Sequence, residues 1–318
     1  MGNLESSARS LDEHRARRLQ LPQDVDFDAY MNERDAADHA KIKPALDFAD
    51  DVLEFFKGGI QVRGLTLPWS KTFDNFRIRP GEVTLWHGFN GHGKSLVLNH
   101  VVLGLLDQDE KACILSFEMR PVSTLARMTR QAIGVNDPAD AAISKFFGWC
   151  NERLWLYDQH GTVATSRVIA VLFYCAEKLG VTQFVIDSLM KCGISEDDYN
   201  GQKRFIDQLC AIARQFNVHI HLVHHSRKAG SEDEQPGKMD AKGSGSITDQ
   251  VDNVIGVWRN KPKEKRVAKG EENDSPDAVL IVDKQRHGEW EGKIGLWFDR
   301  ASLQYLSTDK HKPRSYIA

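Results

Sequence analysis

Residues 88–95 run Gly88-Phe89-Asn90-Gly91-His92-Gly93-Lys94-Ser95 and match the pattern G-x-x-x-x-G-K-[ST] in full. An apolar stretch at residues 82–87 precedes the motif as a predicted strand, and residues 95–103 follow it as a predicted helix. Glycines in such a loop let backbone N–H groups turn inward around phosphate oxygens, and the helix N-terminus adds partial positive charge. This context predicts a phosphate-binding loop rather than a glycine-rich turn that matches by chance.

The loop predicts a site for ATP or another nucleoside triphosphate together with Mg²⁺. The Lys94 ammonium can reach the β- and γ-phosphates, and the Ser95 hydroxyl can hold the metal ion. We expect the remaining nucleotide contacts within the motif to come from Gly88, Asn90, Gly91, His92, Gly93 and Leu96.

Two acidic residues end predicted strands. Asp187 closes the apolar run Gln183-Phe184-Val185-Ile186-Asp187, and we expect it to hold the Mg²⁺ shell. Glu118 follows the run Ile114-Leu115-Ser116-Phe117, where a carboxylate beside the γ-phosphate can orient and deprotonate the attacking water.

A histidine-rich strand, His219-Ile220-His221-Leu222-Val223-His224-His225, permits two interpretations. Histidines two apart share a face and could bind a metal, but no matching cluster of cysteines or carboxylates accompanies them. The better interpretation places this strand beside the one that ends at Asp187. A polar residue at its tip, His224 or more favourably His225, would then sense the γ-phosphate.

Composition places further bounds on the chain. It has 318 residues with 41% hydrophobic side chains, enough for one large α/β domain and an appendage, and a net charge of −3. No apolar stretch approaches the length of a membrane span, and no secretory signal is visible. Five cysteines without a C-x-x-C pair indicate core thiols and a cytoplasmic location.

Periodicity divides the chain into an N-terminal extension (residues 1–59), a motor-like domain (60–308) and a tail (309–318). Residues 1–26 are polar and predict a loosely docked start. Residues 44–57 predict an amphipathic helix with Leu46, Ala49, Leu53 and Phe56 on one stripe. That stripe could pack on its own domain or on a neighbouring subunit, and the sequence leaves both open.

Alternating strands and helices follow from residue 60. The predicted strands are 82–87, 112–117, 153–158, 182–187 and 217–224, with the clearest helices at 165–179 and 199–216. After residue 250 the pattern changes to successive strands at 251–258, 278–283 and 292–298. The expected fold is an α/β P-loop domain with a central, mainly parallel sheet, antiparallel C-terminal strands and a short helical N-terminal extension. Residues 229–246 and 260–277 predict long charged loops.

The order of motifs resembles the RecA-like motor domain of DnaB-type ring helicases, in the phage primase–helicase and Twinkle branch. The resemblance covers about residues 60–306. The motifs that carry it, besides the P-loop, are Leu67-Pro68-Trp69, Arg79-Pro80-Gly81-Glu82, Ser116-Phe117-Glu118-Met119, Phe184-Val185-Ile186-Asp187-Ser188, Lys242-Gly243-Ser244-Gly245-Ser246-Ile247-Thr248-Asp249-Gln250 and Asp283-Lys284-Gln285-Arg286-His287-Gly288.

The resemblance implies roles for single residues. Glu118 matches the catalytic base and His225 the phosphate sensor, while Lys284 and Arg286 match a basic pair that reaches the ATP of the adjacent subunit. Arg259 and Phe298 match positions near the nucleotide base. A DNA-binding loop is implied at Arg227, Lys228, Lys238, Lys242, Gly243, Ser244 and Gly245.

The same resemblance implies a hexameric ring of identical subunits that moves 5′ to 3′ on single-stranded DNA and unwinds duplex in a phage-like or bacterial replisome. Only about 60 residues precede the motor region, with no zinc ribbon, so a separate primase and polymerase are expected. Two alternatives remain: a RecA-like recombination or clock-type ATPase that binds DNA or protein without unwinding, and a small-molecule kinase. The Lys284-Gln285-Arg286 motif and the Gly-Ser-Gly-Ser loop favour the helicase.

Overall fold

The computed structural model describes residues 45–57, 64–195, 197–226, 233–237 and 245–317. They all belong to one compact unit, His39–Ala318. The predicted loosely docked start, residues 1–26, lies outside the described residues.

A single sheet organises the described part of the chain. Its strands are β1 (Val83–Gly88), β2 (Ala112–Ser116), β3 (Leu154–Leu156), β4 (Gln183–Asp187), β5 (His219–His225), β6 (Asn253–Arg259), β7 (Ala278–Gln285), β8 (Gly292–Phe298) and β9 (Tyr305–Leu306). They are arranged in the order β3-β2-β4-β5-β1-β6-β7-β8-β9. The predicted α/β fold with a mainly parallel sheet and antiparallel C-terminal strands is confirmed.

The helices connect and cover these strands. They are α1 (Ala49–Phe56), α2 (Lys94–Leu106), α3 (Pro121–Ile133), α4 (Asp140–Cys150), α5 (Thr165–Tyr174), α6 (Tyr199–Phe216), α7 (Gly245–Gln250) and α8 (Lys261–Val267). A 3₁₀ turn, Ala45–Phe48, leads into α1, and a π turn, Cys175–Leu179, extends α5.

Burial explains why the central strands are nearly continuous apolar runs. Every residue of β1, β2 and β4 is buried, as expected when helices cover both faces of a parallel sheet. Helix α2 is apolar almost all round, and eleven of its thirteen residues are buried. It is therefore a central helix of the core rather than a surface helix.

The strand order brings the functional motifs to one edge of the sheet. In the parallel pairing of β1 with β5, Gly88 lies opposite His225, and in that of β2 with β4, Ser116 lies opposite Asp187. Because parallel strands end at the same edge, the P-loop, Asp187, Glu118 and His225 converge there. The prediction that β5 lies beside the strand ending at Asp187 is confirmed, since β5 pairs with β4.

Three predictions about elements need correction. The pattern groups β6 with the antiparallel extension, but this strand pairs with β1 in parallel, and the antiparallel part begins at β7. Composition predicts an irregular loop at residues 260–277, yet they contain α8, because Asn260 caps the helix by accepting the Lys263 N–H at 3.0 Å. Strand β3 spans three residues instead of the six predicted at 153–158.

The predicted N-terminal helix is present as α1 and its 3₁₀ turn, although Pro44 lies outside the described residues. Its apolar stripe faces outward, with Leu46 81% and Leu53 54% exposed. The expectation of core thiols is confirmed, because all five cysteines are free and buried. None of the helices in the described ranges has the length and apolar character needed to cross a membrane.

Candidate nucleotide-binding site

A cleft of about 700 Å³ opens at the carboxyl edge of the central strands. The groups that line it come mainly from the P-loop, from the ends of β2, β4, β5 and β6, and from α3: Asn90, Gly91, Gly93, Lys94, Ser95, Leu96, Glu118, Arg127, Arg130, Asp187, His225, Arg259 and Leu303. The cleft thus joins groups from widely separated parts of the chain.

The P-loop backbone is shaped by glycines at positions where a side chain does not fit. Gly91 and Gly93 have φ angles of 74° and 83°, in the left-handed region that favours glycine. A Cβ atom at Gly93 would also lie 2.6 Å from the Tyr305 hydroxyl, and one at Gly88 would collide with the Val257 carbonyl oxygen. The loop is therefore closely packed from below, on β6 and β9.

Lys94 points back across the loop that it follows. Its Nζ donates to the carbonyl oxygens of Gly88 at 2.9 Å and Phe89 at 3.0 Å, and lies 3.4 Å from Nδ1 of His225. Burial lowers the pKa of Lys94 to about 8, although the nearby carboxylates of Asp187 and Glu118 oppose that shift. The ammonium is thus a desolvated cation that an anionic ligand would stabilise.

Ser95 and Asp187 form the expected pair of Mg²⁺ ligands. The Ser95 hydroxyl donates to Oδ2 of Asp187 at 2.5 Å, which connects residues 92 positions apart. Burial raises the pKa of the Asp187 carboxyl, while the bond from Ser95 lowers it. A hydroxyl and a carboxylate at the foot of a phosphate-binding loop are hard oxygen donors that fit Mg²⁺.

Glu118 lies on the opposite side of the cleft from the loop backbone and contacts two neighbouring strands. Its Oε1 accepts a hydrogen bond from the Ser188 hydroxyl at 3.2 Å and lies 3.7 Å from Nε2 of His225. The hydrogen bond with His225 lowers the pKa of Glu118 despite partial burial. The carboxylate is therefore ionised at neutral pH and able to accept a proton, and His225 connects it to Lys94.

Two arginines of the cleft were not predicted from the sequence. Arg127 and Arg130 lie three residues apart on α3 and therefore on one helix face. Arg130 donates to the backbone carbonyl oxygens of Arg300 at 3.0 Å and Ala301 at 2.7 Å, whereas Nη1 of Arg127 contacts the sulfur of Met119 at 3.2 Å. Their spacing after Glu118 on an amphipathic helix was the available signal.

The other predicted nucleotide contacts fall in different places. Asn90, Gly91, Leu96 and Arg259 line the cleft. The imidazole of His92 is buried, and its Nδ1 accepts the Arg259 N–H at 3.1 Å, so that side chain supports the loop from behind.

Phe298 is not one of the residues lining the cleft. Its ring packs on Tyr305 with centroids 5.0 Å apart, so the predicted contact with the base lacks the expected position here.

Lys284 and Arg286 lie away from the cleft of their own chain. Nζ of Lys284 donates to the carbonyl oxygens of Thr248, Asp249 and Val251 at 2.8–2.9 Å, at the C-terminal end of α7. Arg286 pairs with the buried carboxylate of Asp252 at 3.1 Å and donates to the Gln250 carbonyl oxygen. A role of this pair in a neighbouring site stays a prediction.

The predicted DNA-binding residues are mostly outside the described residues. Arg227, Lys228, Lys238, Lys242, Gly243 and Ser244 all lie there, and Gly245 is the first residue of α7.

The histidines of β5 belong to the core and to the cleft. Nε2 of His219 lies 2.9 Å from the Thr84 hydroxyl, and Nδ1 of His221 accepts the Trp86 indole N–H at 3.2 Å. Across the described ranges, no group of three or more histidine, cysteine or acidic side chains could hold a metal ion.

Comparison with known proteins gives one family and two related structures. A family described as AAA domain has a model that matches residues 71–231. A separately solved ATPase domain is similar with a TM-score of 0.70 and 16% identity, over 83% of this chain and 99% of that one. A DnaB-like replicative helicase, solved in a study of its interactions with primase, is similar with a TM-score of 0.67 and 15% identity, over 95% of this chain and 76% of that one. The RecA-like fold and the resemblance to DnaB-type helicases are thereby confirmed at the level of the fold.

Proposed function

The chain belongs to the AAA domain family, and from that membership together with the cleft geometry we propose that it is an ATP-dependent replicative DNA helicase. In this proposal identical subunits form a hexameric ring, and ATP is hydrolysed between neighbours in the presence of Mg²⁺. The ring moves 5′ to 3′ on single-stranded DNA and unwinds duplex. A separate primase and polymerase act with it in the cytoplasm.

One observation carries the nucleotide part of the proposal. Lys94, Ser95, Asp187, Glu118 and His225 meet in one cleft, each in hydrogen-bonding or ion-pairing contact with another member. Such a set can bind a triphosphate, hold a divalent cation and accept a proton from water, which are the three tasks of nucleotide hydrolysis.

The charge of the cleft fits the same ligand. Among the described residues, four cationic side chains, Lys94, Arg127, Arg130 and Arg259, line it against the carboxylates of Glu118 and Asp187. This excess of positive charge suits a triphosphate that carries Mg²⁺. The ion, when bound, would offset the negative charge of the β- and γ-phosphate oxygens.

The chain's own groups supply the rest of the chemistry. Glu118 takes the proton from the attacking water, since its lowered pKa keeps it ionised. His225 lies between Glu118 and Lys94, so a change at the γ-phosphate reaches the end of β5 directly. The loop proposed to bind DNA starts two residues later, which gives hydrolysis a short route to DNA contacts.

Subunit contact is the second part of the proposal. Lys284 and Arg286 do not line their own cleft, which supports action on the ATP of an adjacent subunit. A guanidinium from a neighbour would stabilise charge that spreads over the γ-phosphoryl oxygens, and hydrolysis would then require the ring.

Exposed apolar surfaces support assembly. Leu46 and Leu53 face outward on the segment that contains α1. An apolar groove of about 370 Å³ lies between α3 and α4, lined by Val122, Leu125, Ala126, Thr129, Arg130, Asn136, Pro138, Ile143 and Phe147. We propose that α1 of one subunit packs into this groove of the next, since burying both surfaces is favourable.

The decisive experiment is strand displacement on a forked duplex with a 5′ single-stranded tail and Mg²⁺-ATP. Wild type is compared with Arg286→Ala and with Lys293→Ala, a matched control that removes an exposed cation from the adjacent strand. We expect unwinding by wild type and the control. Arg286→Ala should lose unwinding and about 10³-fold in hydrolysis, the usual effect of losing such an arginine, while ATP binding changes little.

Mixing variants tests whether the site is shared. Lys94→Ala subunits cannot hydrolyse ATP but still offer Arg286, and Arg286→Ala subunits still have an intact cleft. A mixture should therefore regain part of the turnover at mixed interfaces. Full activity of Arg286→Ala alone would contradict the trans role.

The same assay separates the alternatives. DNA-stimulated hydrolysis without unwinding would favour a RecA-like or clock-type ATPase. Hydrolysis indifferent to DNA would favour a small-molecule kinase. Normal turnover by Lys94→Ala would contradict the nucleotide site itself.

A further inference from the structure

Helix α8 lies in the charged segment 260–277, which none of the motifs described above includes. It begins shortly after Arg259, the cleft-lining residue at the end of β6. Arg259 is held there by Glu264 in a two-point ion pair: Nε lies 2.6 Å from Oε1, and Nη2 lies 3.0 Å from Oε2. A bidentate arginine–carboxylate pair fixes the plane of the guanidinium as well as its position.

The helix that carries Glu264 is anchored at its base. The Asn260 side chain caps it and also donates to the Ser275 hydroxyl at 3.1 Å and the Pro276 carbonyl oxygen at 2.9 Å. One residue before Glu264, Nζ of Lys263 pairs with Asp277 at 2.9 Å. The carboxylate of Glu264 is thus presented by a short helix that is tied to the start of β7.

The backbone of Arg259 is fixed independently. Its N–H donates to Nδ1 of His92, inside the P-loop. Arg259 is therefore coupled to the phosphate site through its backbone and to α8 through its side chain. Its side chain is 47% exposed, so one face of the guanidinium is accessible from the cleft.

We propose that Glu264 is a positioning residue for the nucleobase: it holds Arg259 as a flat, charge-compensated platform on which the base stacks. This inference rests on the proposed function, because it assigns the base of the nucleotide to that end of the cleft. A guanidinium plane stacks on aromatic rings, and a platform fixed before binding loses less conformational entropy when the base arrives. Segment 260–277 thereby contributes to base binding.

The test compares two ligands that differ in whether they have a base. ATP and inorganic tripolyphosphate, each with Mg²⁺, are titrated calorimetrically into the full chain and into Glu264→Ala, Glu264→Gln and Glu272→Ala. Glu272 is an exposed carboxylate in the same segment and serves as the matched control. Thermal melts show whether each variant is folded.

We expect Glu264→Ala to weaken ATP binding about three- to tenfold, the effect of releasing one ordered side chain, and to leave tripolyphosphate binding unchanged. Glu264→Gln should recover part of the loss, because its amide oxygen still accepts one hydrogen bond. In an Arg259→Ala background, Glu264→Ala should add nothing, since the residue acts through Arg259.

Other results overturn the inference. Equal losses for both ligands would indicate a general structural role of α8, and tighter ATP binding by Glu264→Ala would mean that the carboxylate competes with the ligand. Unchanged ATP binding would remove the role of Glu264 while leaving the proposed function intact. A wild-type chain that binds neither ligand would instead refute the nucleotide site, and this inference with it.

Discussion

The fit between Gly93 and Tyr305 makes the P-loop conformation testable. Gly93 has a φ of 83°, and a Cβ atom there would lie 2.6 Å from the Tyr305 hydroxyl but 3.9 Å from Cζ of the same ring. Gly93→Ala therefore introduces two separate costs. One is backbone strain at a left-handed position, and the other is a collision with a single oxygen atom on β9.

The two costs can be given magnitudes. A residue with a Cβ in the left-handed region costs about 1–2 kcal/mol. Overpacking a closely packed site by one methyl group costs about 1–3 kcal/mol. Gly93→Ala should therefore lower the free energy of unfolding by about 2–5 kcal/mol. In a Tyr305→Phe background the colliding oxygen is gone, so the same substitution should cost only the strain of about 1–2 kcal/mol.

The measurement is a double-mutant cycle by urea denaturation of wild type, both single variants and the double variant. The coupling free energy should favour the double variant by about 1–3 kcal/mol, equal to the relieved collision. ATP binding should follow the same order, because the backbone N–H groups that face the phosphates move with Gly93. Additive effects of the two substitutions would refute the claim that the Tyr305 hydroxyl supports the loop.

Two further predictions concern ionisable groups of the cleft. Because the pKa of Lys94 is lowered to about 8 and bound phosphates would raise it, ATP affinity should be full below pH 8 and fall about tenfold per pH unit above it. Calorimetry in buffers of different ionisation enthalpy should detect the accompanying proton uptake; Lys94→Arg, which stays charged, should show none, and a flat pH profile for wild type would contradict the assignment. Glu118→Gln should retain ATP binding and lose about 10²–10⁴-fold in hydrolysis, since the amide cannot accept the proton. Ser188→Ala, which removes only a hydrogen bond to Glu118, should lose far less, and equal losses would indicate that geometry rather than basicity matters.

Much of the fold follows from local patterns in the sequence. The P-loop motif, the apolar runs that became β1, β2 and β4, and the spacing of α6 all depend on residues close together in the chain. Asp187 and Glu118 could be singled out because each directly follows or ends a buried strand. The direction of β6 could not be predicted, because an apolar strand has the same composition whether its neighbour is parallel or antiparallel.

The sequence by itself determined which side chains could perform nucleotide chemistry: Lys94 and Ser95 by their motif, and the two acids by their places at strand ends. Only the tertiary structure decided which distant groups meet them. The strand order brings Ser95 to Asp187, α3 adds Arg127 and Arg130, and α8 brings Glu264 to Arg259. The physical reason is that secondary structure depends on contacts within one or two turns of chain. A site at a sheet edge depends instead on the order and direction in which separate strands pair.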